Sequence, residues 1–332
     1  MSDAAISLSL VSHTNAGKTT LARTLLGRDV GQVRDAPHVT EFADVYTMLE
    51  TPQGERLLLW DTPGFGDSVR LVKRLRQSAT PLGWFLSAVW DRWRDRPFWA
   101  SQQALRNVRD EADVMLYLVN AAEAPESAAY VAAEMELLAW VGKPVIVLLN
   151  QLGPPREAAL EAADIARWRR HLAAFAPVRE VLPLDAFARC WVQELTLLRA
   201  IESVLPDGEP RARMARLRAL WQAQREQTFD AAMRAVAASL ARLAQASEPL
   251  PDTGGVAATL RTNLRHVGAA IGLAKPADDA PAAQAQRALA QRLDAEVRAN
   301  TRELIELHGL EGDAHEQILT RLATHYELRL RL

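Results

Sequence analysis

The chain has 332 residues, enough for two domains, and its 49% hydrophobic and 24% charged residues exclude general disorder. A formal net charge of -2 gives no bulk attraction for nucleic acid. The single cysteine, Cys190, excludes an internal disulfide and fits a reducing, cytoplasmic compartment.

The opening "MSDAAISLSLVSHTN" has no basic region or small-residue cleavage site and reads as a strand entering a loop, not as a signal peptide. Over the first two thirds, short β-rich runs alternate with helical patterns. This is the signature of an α/β fold with a mostly parallel sheet and helices on both faces. Strands are expected at Ile6–Val11, Glu41–Leu49, Arg56–Trp60, Val114–Asn120, Pro144–Asn150 and Val181–Leu184. The turn "TPQGE" joins the second and third as a hairpin, so one antiparallel edge pair is expected. Helices are expected after the glycine loop and near Glu126–Val141, Arg156–Ala174 and Cys190–Val204.

After Leu205, "PDGEP" breaks the chain and no strand pattern follows. Helical spacing of apolar residues such as Met214, Leu217, Trp221, Met233, Val236 and Leu240 marks Arg211 to Leu243. A second helical stretch runs from Ala283 to His308 and a third from Ala314 onward, with "SEPLPDTGG" and "AKPADDAPAAQ" as linkers. The expected organisation is an α/β domain over 1–205 and an all-α domain over 206–332. No apolar run is long enough to span a bilayer, although the end "YELRLRL" is compatible with a longer natural chain carrying a membrane segment.

The segment Ser9–Gly27, "SLVSHTNAGKTTLARTLLG", carries most of a phosphate-binding loop, with Ser12 where the G-x-x-x-x-G-K-[ST] pattern opens on glycine. Ser12 is tolerable there if its dihedrals are ordinary. The backbone N–H groups of such a loop and the positive end of the following helix cradle phosphate oxygens, which makes Asn15, Ala16, Gly17, Lys18, Thr19 and Thr20 nucleotide-binding candidates. Lys18 would reach the β- and γ-phosphates and Thr19 would place its hydroxyl on magnesium. A second box, "LLLWDTPGFGD", puts Asp61 at a strand end to hold magnesium through water and Gly64 to meet the γ-phosphate. Between the boxes, Thr40 in "RDAPHVTEF" is placed to close over the metal. Lys18, Thr40 and Asn15 are the catalytic candidates; Thr19, Thr40 and Asp61 are the metal candidates.

These residues resemble the translation-factor-class P-loop GTPases, and within them the Era-like and tRNA-modification-GTPase-like branch, over about residues 5 to 205. More narrowly, "RDAPHVTEF", "DTPGFGDS" and "LDAFARCW" are similar to bacterial GTPases fused to a C-terminal domain of unknown function. The resemblance implies GTP and GDP as ligands and a base-recognition box after the fifth strand. That box reads Asn150-Gln151-Leu152-Gly153, without the family's lysine and aspartate. In "PLDAF", the Ala186 N–H is placed to meet guanine O6 and Asp185 either supplies the missing acceptor or caps the next helix. After Gly64, Phe65 stands where Ras-like enzymes carry a water-orienting glutamine, which implies slow turnover helped by another residue, a dimer partner or a monovalent cation. Asn15 stands where potassium-activated members hold that cation; the alternative is that it only stiffens its own turn.

About fifty residues separate "DTPG" from the fourth strand, longer than an ordinary connection. This insert, 68–110, interleaves Trp84, Phe85, Trp90, Trp93, Phe98 and Trp99 with Arg92, Arg94 and Arg96, after the basic run Arg70, Lys73, Arg74 and Arg76. Such a composition suits a protein, membrane or RNA partner, or simple packing on the domain, with Asp91 and Asp95 blunting its charge. His13 is expected to be a solvent-facing loop residue, and no histidine spacing suggests a metal site. The functional expectation is a slow, nucleotide-dependent GTPase switch, cytoplasmic or peripheral at the membrane. The competing readings are a non-hydrolysing interaction protein and an Era-like RNA-associated GTPase.

Overall fold

The computed structural model describes residues 4–13, 16–26, 44–77, 96–153, 156–184, 191–245 and 281–309. They fall into two compact units, Met1–Arg225 and Glu226–Leu332. In chain order the first unit holds β1 (Ala5–Ser12), α1 (Lys18–Leu26), β2 (Asp44–Glu50), β3 (Arg56–Asp61), α2 (Ser68–Gln77), α3 (Arg96–Glu111), β4 (Val114–Asn120) and α4 (Tyr130–Val141). It continues with β5 (Val145–Asn150), α5 (Ala158–Leu172), β6 (Val178–Pro183), α6 (Trp191–Val204) and the start of α7 (Glu209–Ala244). The second unit holds the rest of α7 and α8 (Pro281–Leu307).

The six strands form one sheet in the order β2-β3-β1-β4-β5-β6. Only the β2–β3 hairpin is antiparallel; β3, β1, β4, β5 and β6 run parallel. Parallel strands end on the same edge, so the residues that close β1, β3 and β5 converge there without any need to be near one another in sequence. The chain goes from β1 outward to β3 and then crosses back to β4 on the other side of β1. Open α/β sheets place their ligand crevice at such a reversal, beyond the carboxyl ends of the strands.

Both faces of the central strands are covered, which is why β4 and β5 read as continuous apolar runs, whereas the edge strand β2 is largely exposed. Along β4 the period of two sorts the side chains: Val114, Leu116 and Leu118 enter one core, while Met115, Tyr117 and Val119 enter the other. The first core is closed by Leu21 and Leu25 of α1, Leu197, Leu198 and Ile201 of α6, and Met214, Leu217 and Trp221 of α7. Trp221 and its two predecessors lie on one helical stripe, so the start of α7 packs as part of the α/β unit. Arg216 on the same helix forks onto Glu55 in the β2–β3 turn, with Nη2 2.5 Å from Oε1. Within the second unit, Arg242 of α7 pairs with Glu296 of α8 at 2.6 Å.

The second core is closed by Leu71 and Val72 of α2, Phe98, Leu105 and Val108 of α3, Val131, Met135 and Leu138 of α4, and Trp168 and Leu172 of α5. Part of the insert therefore packs as core. Phe98 is buried, with the Arg70 guanidinium 4.1 Å and the Arg74 guanidinium 5.4 Å from its ring centre. Residues 78–95, with Trp84, Phe85, Trp90, Arg92, Trp93 and Arg94, lie outside the described residues, as do Cys190 and the stretch from Ala314.

One helix starts later than the sequence pattern suggests. Residues 126–129 are not part of α4, because Pro125 begins a tight turn in which the Ser127 N–H bonds the Ala124 carbonyl at 2.9 Å and the Ala128 N–H bonds the Pro125 carbonyl at 3.3 Å. The helix ends at Gly142, which takes φ +76 and returns its N–H to the Leu138 carbonyl. Among the described residues no helix is long and apolar enough to cross a membrane.

Candidate functional site

The loop after β1 turns into α1 at Gly17, whose φ of +90 suits glycine alone among common residues. A Cβ there would also lie 2.7 Å from Asn150 Nδ2. The Leu21 N–H bonds the Gly17 carbonyl at 2.9 Å, so α1 begins at once and the N–H groups of its first turn, at Lys18, Thr19 and Thr20, have no acceptor within the helix. This is the arrangement that binds phosphate. Ser12 is not among the residues with positive φ, so the turn at this position does not require glycine. Its hydroxyl donates to the His13 carbonyl at 2.5 Å and accepts from Lys18 Nζ at 2.9 Å. Lys18 is 8% exposed, and burial pushes its pKa down while Asp61 and Glu134 oppose that shift.

At the end of β3, Asp61 Oδ2 accepts from the Thr19 hydroxyl at 2.6 Å. The strand register explains the meeting: Asp61 pairs with Leu10 of β1. The other carboxylate oxygen, Oδ1, is buried without a hydrogen-bond partner. Burial raises the Asp61 pKa, against the pull of Thr19 and Lys18. An all-oxygen pair with an unsatisfied buried acceptor fits a hard divalent cation, which magnesium is. Magnesium sites of this kind use one or two carboxylates rather than a dense cluster, and among the described residues no group of three or more His, Cys, Asp or Glu side chains is gathered.

The loop after Asp61 is fastened from three sides. Thr62 Oγ1 donates to the Leu10 carbonyl at 2.5 Å, and the Phe65 N–H bonds the Ser12 carbonyl at 2.9 Å. Ser101 of α3 accepts from the Gly66 N–H at 3.0 Å and donates to the Gly64 carbonyl at 3.4 Å. Phe65 is fully buried, so at the position beyond Gly64 the chain supplies packing and no group that orients water.

On the base side, Asn150 closes β5 and is buried, and its Nδ2 donates to the Ala16 carbonyl at 2.9 Å. It thereby clamps the phosphate loop from beneath. Gln151 takes φ +57, the one non-glycine residue with positive φ among those described, and Gly153 takes +78. Ala16, Gly17, Lys18, Thr19, Thr20, Asp61, Gly64 and Asn150 thus gather at one sheet edge. Thr14, Asn15, Thr40, Asp185 and Ala186 lie outside the described residues.

His13 departs from the expectation of a solvent-facing loop residue. Its ring stacks on Tyr130 with centres 4.5 Å apart, and its Nδ1 lies 2.9 Å from Oε1 of Glu134. Glu134 is fully buried, and its Oε2 accepts from the Tyr117 hydroxyl at 2.6 Å. The hydrogen bond to Glu134 raises the His13 pKa, and burial raises that of Glu134. The sequence signal was a glutamate on the apolar stripe Val131, Glu134, Met135, Leu138 of α4, where a carboxylate needs a partner.

A phosphate-type loop between β1 and α1, a lysine, a Thr–Asp pair and a mostly parallel sheet with helices define a P-loop GTPase-type fold. Residues 7–151 match the family model of the 50S ribosome-binding GTPases. The fold is similar to that of a variant of Aquifex aeolicus Era bound to GDP and AlF4-, at 21% identity over 62% of this chain and 58% of that one, with a TM-score of 0.45. Era in complex with MgGDPNP and nucleotides 1506-1542 of 16S ribosomal RNA gives 22%, 62%, 58% and 0.43. A probable GTP-binding protein engB gives 16% identity over 59% of this chain and 99% of that one, with a TM-score of 0.37. The chain spans less than two thirds of the length of either Era structure. No curated protein sequence matches it.

Proposed function

We propose that the chain is a slow GTPase that works as a nucleotide-dependent switch, with residues 68–110 and the helical region 206–332 changing their contacts with a protein or membrane partner. The observation that carries this reading is the Thr19–Asp61 contact beside the buried Lys18, with Asp61 Oδ1 left unsatisfied. Thr19 and Asp61, with Thr40 on sequence grounds, would hold magnesium, which neutralises charge on the β- and γ-phosphates when bound. Lys18 supplies a second positive charge at the same oxygens. Gly17 keeps the backbone close to them. Guanine preference rests on the order of motifs and on Asp185 as the substitute for the carboxylate absent at Gly153. Cytoplasmic placement, peripheral at the membrane, and a nucleotide-dependent dimer belong to the same proposal.

Slow turnover follows from Phe65, which is buried and cannot align water. The same observation favours the second reading, a non-hydrolysing protein that keeps nucleotide as structural glue. Ribosome or RNA association is not carried over, because the helical region lies beyond the residues that match the family model.

The switch is tested by hydrogen exchange over 68–110. Ser101 of α3 grips the Gly64 loop, so protection in α2 and α3 is expected to differ between the complexes with GDP and with a non-hydrolysable GTP analogue. Phosphate release above a Lys18→Ala control is expected alongside. Identical protection in both states would contradict the switch, and release no faster than the control would favour the structural reading.

A further inference from the structure

Ser12 and His13 open the phosphate loop; Ser12 meets Lys18, and His13 is tied to a buried carboxylate that the chemistry above does not use. The Lys18 ammonium donates to Ser12 Oγ, Ser12 Oγ donates to the His13 carbonyl, and the His13 ring is gripped by Glu134. Glu134 in turn accepts from Tyr117, and Tyr130, one turn earlier on α4, stacks on the ring. A path of short contacts therefore runs from the fully buried carboxylate on α4 to the lysine that meets the phosphates.

We propose that Glu134 and His13 are positioning residues for nucleotide binding: the His13–Glu134 pair fixes the start of the phosphate loop and, through Ser12, the place of Lys18. This rests on the nucleotide-site reading above and adds a regulatory property to it. A buried carboxylate without its partner is costly, so the pair is kept only while it is made. His13 is the member that titrates near neutrality. The groups facing it are Glu134 and Tyr130 from α4, Tyr117 from β4 behind Glu134, Lys18 from α1, and Glu123 from the turn after β4. Glu134 and Glu123 favour the imidazolium, and Lys18 opposes it.

The sign follows from the raised His13 pKa. Below that value the imidazolium–carboxylate pair is complete and the loop is held. As pH rises through it, the ion pair gives way to a hydrogen bond from neutral imidazole, the hold on the loop weakens and nucleotide affinity falls. Bound polyphosphate brings further negative charge beside the loop, so binding takes up a proton at pH values above the ordinary imidazole value of about 6.5.

The test is isothermal titration of the full chain with magnesium and GDP, in two buffers of different ionisation enthalpy, across a pH series that brackets that value. The wild type is expected to take up a fraction of a proton and to lose affinity several-fold as pH rises. Glu134→Gln keeps an acceptor for Tyr117 but removes the charge; it and His13→Gln are both expected to bind about tenfold more weakly at the lower end of the series, with proton uptake abolished in His13→Gln and shifted to lower pH in Glu134→Gln. Circular dichroism melting checks that the variants are folded. Wild-type binding without proton uptake, or uptake that persists in His13→Gln, would overturn this proposal and leave the nucleotide site standing. No binding of any nucleotide by the wild type would overturn both.

Discussion

The two halves of the nucleotide site are built differently. The phosphate half is made of backbone and short side chains at the ends of β1 and β3, each locked by the sheet register: Gly17 at φ +90, Lys18 buried, Thr19 on Asp61. Within the base box 150–153 only Asn150 matches the expected pattern, and that side chain is directed at the phosphate loop through the Ala16 carbonyl. Gln151 and Gly153 replace the family's lysine and aspartate. Phosphate recognition is common to all nucleoside triphosphates and tolerates little change, whereas base recognition sets a difference between ligands and rests on a single well-placed carboxylate. The described residues of the first follow the P-loop pattern, and residues 151–153 of the second depart from it.

The strongest way to break that comparison is at the phosphate half. Gly17→Ala puts a Cβ at positive φ and 2.7 Å from Asn150 Nδ2, so neither the loop nor its clamp can stay in place. A cost of about 3 kcal/mol is expected, seen as a Tm lower by roughly 6–12 °C together with loss of nucleotide binding. Calorimetric melting showing an unchanged Tm would mean that the loop is not held as described.

A smaller effect sharpens the base half. Gly153 takes φ +78 with open space where a Cβ would stand, and aspartate is among the residues that tolerate this region. Gly153→Asp restores the carboxylate and is expected to raise the preference for GTP over ATP by about tenfold, at a stability cost of about 1 kcal/mol. Competition binding that shows no gain would mean that base discrimination already resides elsewhere, with Asp185 the first residue to examine.

The smallest expected effect concerns Asn15. If its side-chain oxygen holds potassium in place of an arginine finger, GTP hydrolysis is several-fold faster in potassium chloride than in sodium chloride, and Asn15→Ala removes the difference. Equal rates in the two salts, or acceleration that survives the substitution, would leave Asn15 as a turn residue.

How much of this could be read in advance depends on whether the cause is local. The central strands were legible because strands covered on both faces write uninterrupted apolar runs, and "VMLYLVN" and "VIVLLN" need no partner to be recognised, whereas β6 begins at Val178, before the expected Val181, where Arg179 and Glu180 interrupt the run. The loop from Ala16 to Thr20 and the "DTPG" box were legible because phosphate and metal chemistry fixes residue types at fixed spacing. The His13–Glu134 pair was not, since its members are 121 residues apart and only the fold joins them. For the same reason nothing in "RPFWASQQ" announces that Ser101 grips the Gly64 loop. The late start of α4 turns on Pro125, whose turn-forming role competes with the helical periodicity that surrounds it.

The central claim is that a complete phosphate half serves a guanine nucleotide despite an altered base box. Isothermal titration of the wild-type chain with GDP and with ADP, each with and without magnesium, tests it most directly, with Lys18→Ala as control. Magnesium-dependent binding of GDP, tighter than that of ADP and weakened about a hundredfold in Lys18→Ala, is the predicted result. Equal or tighter binding of ADP would contradict the guanine assignment, and no binding of either would contradict the site itself.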